Sequence, residues 1–595
     1  MTPSEPSTHV NSPRQRLRAW GPGLAVSAVV VWMVIRMFPR LFKRIGTSDY
    51  FELAASIQDD SFYYLVPAFR FKTQGFFTFD GLTSTYGFQP AYEVLLTAYA
   101  FFFADFESFL RGTMKLGLVL HALTAVMIAL LVLRTADART RWGRWLQYAL
   151  AAGAGLFYLS RGTVVLSAMT CKENVLAAGL LAGVLLLVTQ DVEDTPKRHR
   201  LFSVLTGAGV GVLLLCRILP TTLASVGLVT LIALFRWRKP GAFFLAFAMP
   251  MILWGAYAVV AFGHVVPMSA RVKTLGESVD SPWRVLATHG RDYMKATFGF
   301  AVGDPGMWLP QRDGAIVLPD APATPRWAAI TAMALVVLGG AGGAGLRQAF
   351  RARSLRLPQH TLVVSLLAVL TLSIIAIYPI QGILIAMRRP GELFYYMWYV
   401  YDLPVLVAAA LGAAAVVGLG RVERFVVMVT ARKGFEVRTT LVSAGAVVGV
   451  LAVLLIFGQR IPEGYKKVRQ LKPYATFDQS AGTWQHTMLR AGLWLKQNVQ
   501  LQPGERVACF SCGALGFLLP DHVLNLDGLA NDDAARSRLT NPSTIEDYIA
   551  KVRPRYYIDV HVWTVTSNPR IQVRPLQVLP FSYEGGYLVA ELTHQ

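Results

Sequence analysis

Two adjacent aspartates, Asp59 and Asp60, are the residues whose types and spacing point most directly to chemistry. They stand just beyond a long apolar block, in the segment SDYFELAASIQDDSFYYLVPAFRFKTQGFFTFDGLTSTYGFQP (48–90). Because adjacent side chains point in different directions, one carboxylate can face a substrate while the other binds a metal or an arginine. Asp also caps helix N-termini, so a solvated helix start is the alternative interpretation of the pair.

The rest of the sequence is strongly apolar and places this pair in a membrane protein. Hydrophobic residues make up 54% of the 595 residues and charged residues 16%, and the mean hydropathy is +0.43. Soluble proteins average about 25% charged residues. The blocks LGLVLHALTAVMIALLVL (116–133) and LVSAGAVVGVLAVLLIF (441–457) approach the length that crosses about 30 Å of hydrocarbon. The sequence therefore predicts a polytopic α-helical membrane protein and excludes a disordered chain, a coiled coil and an ordinary soluble enzyme.

About eleven apolar segments are predicted to cross the membrane. They are 21–38, 113–134, 146–165, 173–190, 201–216, 219–235, 241–262, 326–345, 360–380, 403–420 and 438–458. The segment AYEVLLTAYAFFFA (91–104) has 14 residues and contains Glu93, so it is expected to be a re-entrant or interfacial helix. If this segment does not cross, the other basic loops all fall on one face of the membrane, as the positive-inside rule requires. If it crosses, this agreement is lost.

The same rule accounts for the net charge of +21, from 57 basic and 36 acidic residues, without a nucleic-acid partner. Residues 1–20 are then a cytoplasmic tail before a signal anchor, and 21–458 form the transmembrane module. The extracytoplasmic face receives a loop over 39–112, a loop over 263–325 and a tail over 459–595. The N-terminus is predicted to be cytoplasmic and the C-terminus extracytoplasmic.

One basic cluster departs from this charge rule. Arg36, Arg40, Lys43 and Arg44 follow the first predicted span on the outer face. Long basic side chains can snorkel to lipid headgroups, which explains them structurally. The functional alternative is that they attract an anionic lipid carrier.

The tail over 459–595 differs in composition from the module before it. ERVACF, HVLNLDG, RYYIDVHV and GYLVAEL are typical of short strands, and STIEDYIAKV (543–552) is typical of a helix. The tail is therefore predicted to be a small α/β domain on the membrane surface.

Cys509 and Cys512 form a C-x-x-C pair in this tail. The pair suits a local disulfide in an oxidising compartment and equally two small residues at a strand end.

The segment that begins at Asp59 resembles the first periplasmic loop of GT-C glycosyltransferases. These integral membrane enzymes take a sugar from a polyprenyl-phosphate carrier, and they include the protein O-mannosyltransferases and the lipid A aminoarabinose transferases. The chain retains the acid pair, Tyr63-Tyr64, Arg70, Phe77-Thr78-Phe79-Asp80-Gly81 and Gly87-Phe88. It departs from the pattern at Phe71, Gln89 and Tyr92, where many bacterial members have Asn, His and Trp.

Further segments match the same group in the expected order along the chain. They are LSAMTCKENVLAAGLL (166–181) with Glu173, LCRILP (215–220) with Arg217, FGHVVPMSARVKTLGES (262–278) with Lys273, RRPGELFYYMWYVYDLP (388–404), and LWLKQNVQLQPGERVACFSCGALGFLLPDHVLNLDGLAND (493–532). The ordered set implies a GT-C-like fold that carries a C-terminal extracytoplasmic α/β domain. It also implies a multi-pass protein of the bacterial inner membrane.

The resemblance implies transfer of a sugar from a polyprenyl-phosphate donor to a glycan, lipid or protein acceptor at the extracytoplasmic face. Asp59 is expected to be the general base that deprotonates the acceptor hydroxyl, with Asp60 orienting the acceptor or a metal. The departing phosphate needs cationic partners in a poorly hydrated site. The candidate partners of the phosphate are Arg217, Lys273 and one of Arg388 and Arg389. Each of them could instead extend to the lipid headgroups at the membrane interface. Further candidate substrate-binding residues are Arg70, Gln89, Tyr92 and Tyr396.

The sequence does not decide whether the site binds a divalent metal ion. Glu173 could complete a Mg²⁺ or Mn²⁺ site with Asp60, but two carboxylates are a thin ligand set, so a metal-free site is the other interpretation. The aromatic run that contains Tyr396 is typical of an interfacial belt and could also provide a sugar platform.

Two other functions compete with transfer. A transporter or flippase for a lipid-linked glycan would be expected to place charges in broken mid-bilayer helices and often to show two related halves. The sequence shows no internal repeat, and its polar residues gather at one predicted face. A membrane scaffold that displays the tail domain would leave the paired aspartates unexplained.

Overall fold

The computed structural model describes most of the chain. The described residues are 13–57, 59–138, 140–190, 195–237, 239–269, 358–388, 402–430, 437–470, 484–510, 512–528, 545–559, 569–579 and 587–594, with short pieces at 336–340, 342–343, 347, 531 and 534. Helices form this part of the chain up to residue 498, and a mixed α/β unit follows.

The membrane module is helical throughout its described part. Its helices are α1 (Pro13–Thr47), α2 (Tyr50–Ser56), α3 (Asp59–Gln74), α4 (Pro90–Ala100), α5 (Phe106–Leu133), α6 (Arg141–Leu159), α7 (Gly162–Met169), α8 (Asn174–Val188), α9 (Pro196–Cys216), α10 (Pro220–Trp237), α11 (Pro240–Phe262), α12 (Gln359–Arg388), α13 (Asp402–Thr430) and α14 (Val437–Gln470). The most apolar window of α13 is 94% buried, so this helix lies at the centre of the bundle.

Seven helices of the described residues are long and apolar enough to cross a membrane. They are Trp20–Thr47, Phe106–Leu133, Pro196–Cys216, Pro220–Trp237, Pro240–Phe262, Gln359–Ile377 and Asp402–Val427. The chain is therefore an integral membrane protein. Of the other predicted spans, 173–190 is a helix of 15 residues, and most of 326–345 lies outside the described residues.

Two predicted boundaries differ from the structure. The first span was predicted to end at 38, but α1 continues to Thr47 and carries the four basic residues that departed from the charge rule. Arg36 lies over the ring of Trp32, at 5.4 Å from its centroid. The predicted span 146–165 is interrupted, because α6 ends at Leu159 and extended backbone at Arg161 precedes α7.

Short helices and loops collect at one end of the bundle, which we call the site end. Helix α4 has 11 residues, about 16 Å at 1.5 Å per residue, so the segment 91–104 is too short to cross, as predicted. Ser61 of α3 donates a hydrogen bond to the carbonyl of Thr170, at 2.6 Å, and so ties the first loop to the turn after α7. Tyr86 donates to the carbonyl of Val265, at 2.8 Å, and ties the same loop to the end of α11.

The C-terminal domain, residues 484–594, contains a five-stranded mixed sheet. Its elements are α15 (Trp484–Asn498), β1 (Val507–Cys509), α16 (Gly513–Leu518), β2 (Val523–Asn525), α17 (Ile545–Val552), β3 (Tyr556–Asp559), β4 (Ile571–Leu579) and β5 (Tyr587–His594). The strand order is β2-β1-β3-β5-β4, with β1 parallel to β2 and β3 and with β5 antiparallel to β3 and β4.

The four strands and the helix predicted in this tail are present, whereas β4 was not predicted. Strand β4 carries Arg574 and Pro575 and has a register shift between Pro575 and Gln577. A proline and a register shift are typical of an edge strand. They also interrupt the alternation of apolar and polar residues from which a strand is predicted. Helix α14 runs through the domain boundary predicted at 458 and ends at Gln470.

Helix α16 of the C-terminal domain packs directly against α3, and two glycines allow the close approach. A Cβ added to Gly513 would overlap the carbonyl oxygen of Asp59 and lie 2.6 Å from its Oδ1. A Cβ added to Gly516 would overlap the ring of Phe79. The domain is therefore docked on the first loop at backbone-to-backbone distance.

We expect Gly513→Ala to weaken this docking, because the backbone of α3 cannot move aside at low cost and overpacking typically costs about 1–3 kcal/mol. The measurement is the melting temperature of the purified protein, together with the rate of limited proteolysis. Gly458→Ala is the matched control, because nothing lies within 4 Å of its added Cβ and it sits on an exposed part of α14. Equal melting temperatures for the two variants would contradict the close approach.

Candidate active site

Asp59 and Asp60 form the first turn of α3, where acidic side chains interact favourably with the helix dipole. The two carboxylates point to different neighbours. Asp59 Oδ1 accepts the backbone N–H of Ala514, at 3.1 Å, and Asp59 Oδ2 lies 3.3 Å from the hydroxyl of Tyr63. Asp59 thus joins the membrane module to the C-terminal domain.

Asp60 turns to the loop between α7 and α8. Lys172 Nζ lies 3.3 Å from Asp60 Oδ2. The side chain of Lys172 is only 6% exposed, whereas that of Asp60 is 38% exposed. The Asp60 carboxylate is therefore partly accessible, and a buried ammonium fixes its orientation.

A buried ion pair lies next along the same loop. Glu173 binds Arg217, which stands directly after α9, and the guanidinium also donates to the side chain of Asn174. Burial leaves the two charged side chains 7% and 6% exposed, so the pair excludes water. The ring of Tyr64 of α3 packs edge-on against Tyr92 at 5.5 Å. Burial raises the pKa of the Tyr64 hydroxyl, and the negative charge of the neighbouring Glu173 adds to this effect. These contacts join α3, α4, α8 and α9 at the site end.

The pKa of Asp59 is raised to about 7. Burial is the largest cause and the negative charge of Asp60 adds to it, while the backbone N–H groups of Ala514 and Gly513 and the hydroxyl of Tyr63 act in the opposite direction. A carboxyl group with this pKa can exchange a proton near neutral pH.

Glu93 is a further acid at the site end that was not selected as a site residue from the sequence. It is fully buried in α4, and neither carboxylate oxygen has a hydrogen-bond partner among the described residues. Burial raises its pKa well above the usual range, which favours the protonated, uncharged form. In the sequence, Glu93 could have been selected because it is a single acidic residue within an apolar segment.

The structure brings together five of the predicted site residues: Asp59, Asp60, Tyr92, Glu173 and Arg217. Lys172 completes the group and was not selected from the sequence, although it directly precedes Glu173. Other predicted residues lie elsewhere.

Arg70 binds Asp521 of the C-terminal domain at 2.9 Å. Gln89 is the N-cap residue of α4 and makes no side-chain capping bond. Lys273, Arg389, Tyr396 and the side chain of Arg388 lie outside the described residues.

The described residues do not fit the Mg²⁺ or Mn²⁺ site considered for Glu173 and Asp60. Each of these carboxylates already binds a cationic side chain, Asp60 binding Lys172 and Glu173 binding Arg217. In the described part of the chain no three His, Cys, Asp or Glu residues form a group able to hold a metal ion.

The C-x-x-C pair is oxidised in the structure. Cys509 and Cys512 form a disulfide at the end of β1, with their Cα atoms 5.6 Å apart. The backbone N–H of Cys512 donates to the hydroxyl of Tyr63 at 3.1 Å. The disulfide loop therefore forms part of the surface that meets α3.

Comparison with solved structures shows the GT-C fold that the motifs implied. One protein of known structure with this likeness is ArnT from Cupriavidus metallidurans. The crystal structure of its apo state has a TM-score of 0.53 to this chain and 14% sequence identity, and the likeness covers 95% of this chain and 98% of that one. Its crystal structure bound to undecaprenyl phosphate has a TM-score of 0.48 and 13% identity, with coverages of 96% and 98%.

The sequence comparisons match a smaller part of the chain. A family model described as a domain of unknown function (DUF8728) matches residues 475–592, which include nearly all of the C-terminal domain. No curated protein matches the chain. The fold is therefore shown, and the activity has to be argued from the site.

We expect the titration of Asp59 to make stability depend on pH. Its pKa rises from its ordinary value of 3.8 to about 7 on folding, so the folded protein holds this proton more tightly than the unfolded chain. The resulting stabilisation is complete below about pH 4 and is lost as the pH rises through about 7. Asp59→Asn keeps an oxygen for Ala514 and removes the titration.

The melting temperature of Asp59→Asn, minus that of the wild type, should therefore increase between pH 5 and pH 8. Thermal melting in detergent across this range measures it, and titrations common to both proteins cancel in the difference. A difference that does not vary with pH would show that Asp59 is ionised throughout.

Proposed function

We propose that the chain is a membrane glycosyltransferase that moves a sugar from a polyprenyl-phosphate donor to an acceptor hydroxyl. The observation that carries this proposal is the convergence of Asp59, Asp60, Lys172, Glu173 and Arg217 at one end of a GT-C-fold bundle. The motifs that hold these residues resemble those of transferases with this donor. The sugar is a hexose or pentose, and the acceptor is a glycan, a lipid or a protein.

Asp59 is the proposed general base. Its pKa of about 7 matches the requirement that a base be poised near the working pH, so that it is partly ionised and still binds a proton well. The acceptor hydroxyl gives its proton to Asp59 as its oxygen attacks the anomeric carbon, and the bond from that carbon to the carrier phosphate breaks. Asp60, oriented by Lys172, holds the acceptor.

The departing phosphate is stabilised by cations. Arg217 is held in place by Glu173 and Asn174, and Lys172 lies beside Asp60. These charges form two balanced ion pairs, so a phosphate dianion calls for additional positive charge. Lys273 and one of Arg388 and Arg389 are proposed to supply it.

A transporter or flippase of a lipid-linked glycan is the alternative. Its substrate site would be expected near the middle of the bilayer, at interrupted helices. The charged groups described above lie instead at helix ends, on α3, after α7 and after α9. Purified protein separates the two functions, because turnover of a lipid-phosphate sugar without closed compartments requires an enzyme.

The proposed orientation places the site end on the extracytoplasmic side, with the N-terminus in the cytoplasm. A reporter fused after Gln595 should then be active only outside the cytoplasm, and a reporter inserted near Arg141 only inside it. These two positions follow from the basic loops that the positive-inside rule assigns to the cytoplasm. Reporters that agree on one side would overturn the orientation.

Replacing the base tests the mechanism. Asp59→Asn should lower turnover by about 10²–10⁴, the usual contribution of a general base, while donor binding is preserved. The amide oxygen can still accept the N–H of Ala514, so the domain stays docked. Turnover and donor binding are measured separately on purified protein with a polyprenyl-phosphate sugar.

Asp60→Asn is the companion variant. It should impair turnover through loss of the Lys172 contact, with a larger effect on acceptor KM than Asp59→Asn has. If Asp59→Asn keeps more than about a tenth of the wild-type turnover, less than general-base loss removes, the base is not Asp59. The assignment would then pass to Asp60.

A further inference from the structure

The hydroxyl of Tyr63 is the meeting point of α3 and the C-terminal domain. It lies 3.0 Å from Asp527 Oδ2 and 3.3 Å from Asp59 Oδ2. The backbone N–H of Cys512 and the side-chain amide of Asn525 both donate to its oxygen, at 3.1 Å each. Three of these four neighbours belong to the C-terminal domain, which matches a family of unknown function.

The chemistry of a hydroxyl limits how this cluster can be satisfied. A tyrosine hydroxyl has one hydrogen to donate and lone pairs that accept. Two N–H groups already point at the oxygen of Tyr63, so its single hydrogen is left for one of two carboxylates. Asp527 and Asp59 therefore compete for it, and the shorter distance favours Asp527.

We propose that Asp527 and Tyr63 are positioning residues that set the basicity of Asp59, so that the C-terminal domain is a working part of the transferase site. When the hydrogen goes to Asp527, the Asp59 carboxylate loses a donor and binds its own proton more tightly. The negative charge of Asp527 acts in the same direction. This inference rests on the proposed function, because it assigns a role around the proposed base.

The charged and titratable groups that face Asp59 are few in the described part of the chain. Asp60 and Tyr63 lie on its own helix, Asp527 lies in the C-terminal domain, and Lys172 lies on the loop after α7, where it binds Asp60. Burial raises the pKa of Tyr63 well above its usual range, with Asp527 and then Asp59 as the next causes. The hydroxyl is therefore a neutral hydrogen-bond donor throughout the working pH range.

The docking contacts hold this geometry in place. Arg70 binds Asp521 at one side of the interface, and the disulfide loop ends at Cys512 on the other. Gly513 brings the backbone of α16 to within hydrogen-bonding distance of Asp59. The hydroxyl of Tyr63 thus keeps both carboxylates within reach.

The test compares two variants with opposite expected effects on the acidic limb of the kcat/KM–pH profile. Asp527→Asn removes a charge and leaves the hydroxyl hydrogen to Asp59, so the limb should move to lower pH by about one unit. Tyr63→Phe removes the hydroxyl hydrogen that Asp59 receives whenever it is not donated to Asp527, so the limb should move to higher pH. A purely structural role would not give shifts of opposite sign.

Asp521→Asn is the matched control. It removes a carboxylate of the same domain that binds Arg70 and leaves Tyr63 untouched, so docking is weakened and the limb should stay in place. If all three variants move the limb in one direction, general loosening explains the result and the proposal is wrong. If Tyr63→Phe does not fold, Asp527→Asn decides alone, because an unchanged limb in that near-isosteric variant overturns the proposal.

A second readout does not require turnover. For each variant, the melting temperature is compared with that of the same variant carrying Asp59→Asn, and the pH at which the difference develops reports the titration of Asp59. This pH should fall in Asp527→Asn and rise in Tyr63→Phe. If these midpoints shift but the wild type transfers no sugar, the proposed function fails and the coupling stands; if they do not shift, the coupling fails whatever the activity.

Discussion

The hydrogen bond from the backbone of Ala514 to the carboxylate of Asp59 is the contact on which the arrangement of the site depends. It requires the start of α16 to touch the start of α3, and only a residue without a Cβ allows this at Gly513. The same approach brings Cys512, Asn525 and Asp527 to Tyr63. The Asp59 carboxylate therefore fixes where the C-terminal domain sits on the membrane module.

The other charged side chains of the site form ion pairs, which offset the cost of burying charge. Lys172 with Asp60, and Arg217 with Glu173, are ion pairs whose partners come from different elements. Removing one member of such a buried pair would leave an uncompensated charge, so the pairs tie α3 to the α7–α8 loop and α9 to α8. Asp59 and Glu93 have no cationic partner of this kind in the described part of the chain, and burial raises the pKa of both carboxyl groups.

The apolar blocks allowed the membrane class to be predicted. The acid pair stood out as adjacent carboxylates beside an apolar block, and the resemblance to GT-C motifs selected Glu173 and Arg217. Lys172 was missed because motif matching fixes residue types only where the register is known. The contact between Tyr63 and Asp527 joins residues 464 positions apart. No local pattern encodes such a pair, and the position of the C-terminal domain on the site could not be predicted from spacing or hydropathy.

The coupling between the domain and the proposed base acts in both directions. By linkage, whatever docking does to the proton affinity of Asp59, protonation of Asp59 must do to docking with the same free energy. Docking buries the carboxyl group, which favours the protonated form, and it also brings the N–H of Ala514, which favours the ionised form; the raised pKa shows that burial is the larger of the two effects. In the proposed reaction Asp59 gains a proton as the acceptor attacks and loses it afterwards. We therefore expect the contact between the C-terminal domain and α3 to differ in strength between these two states.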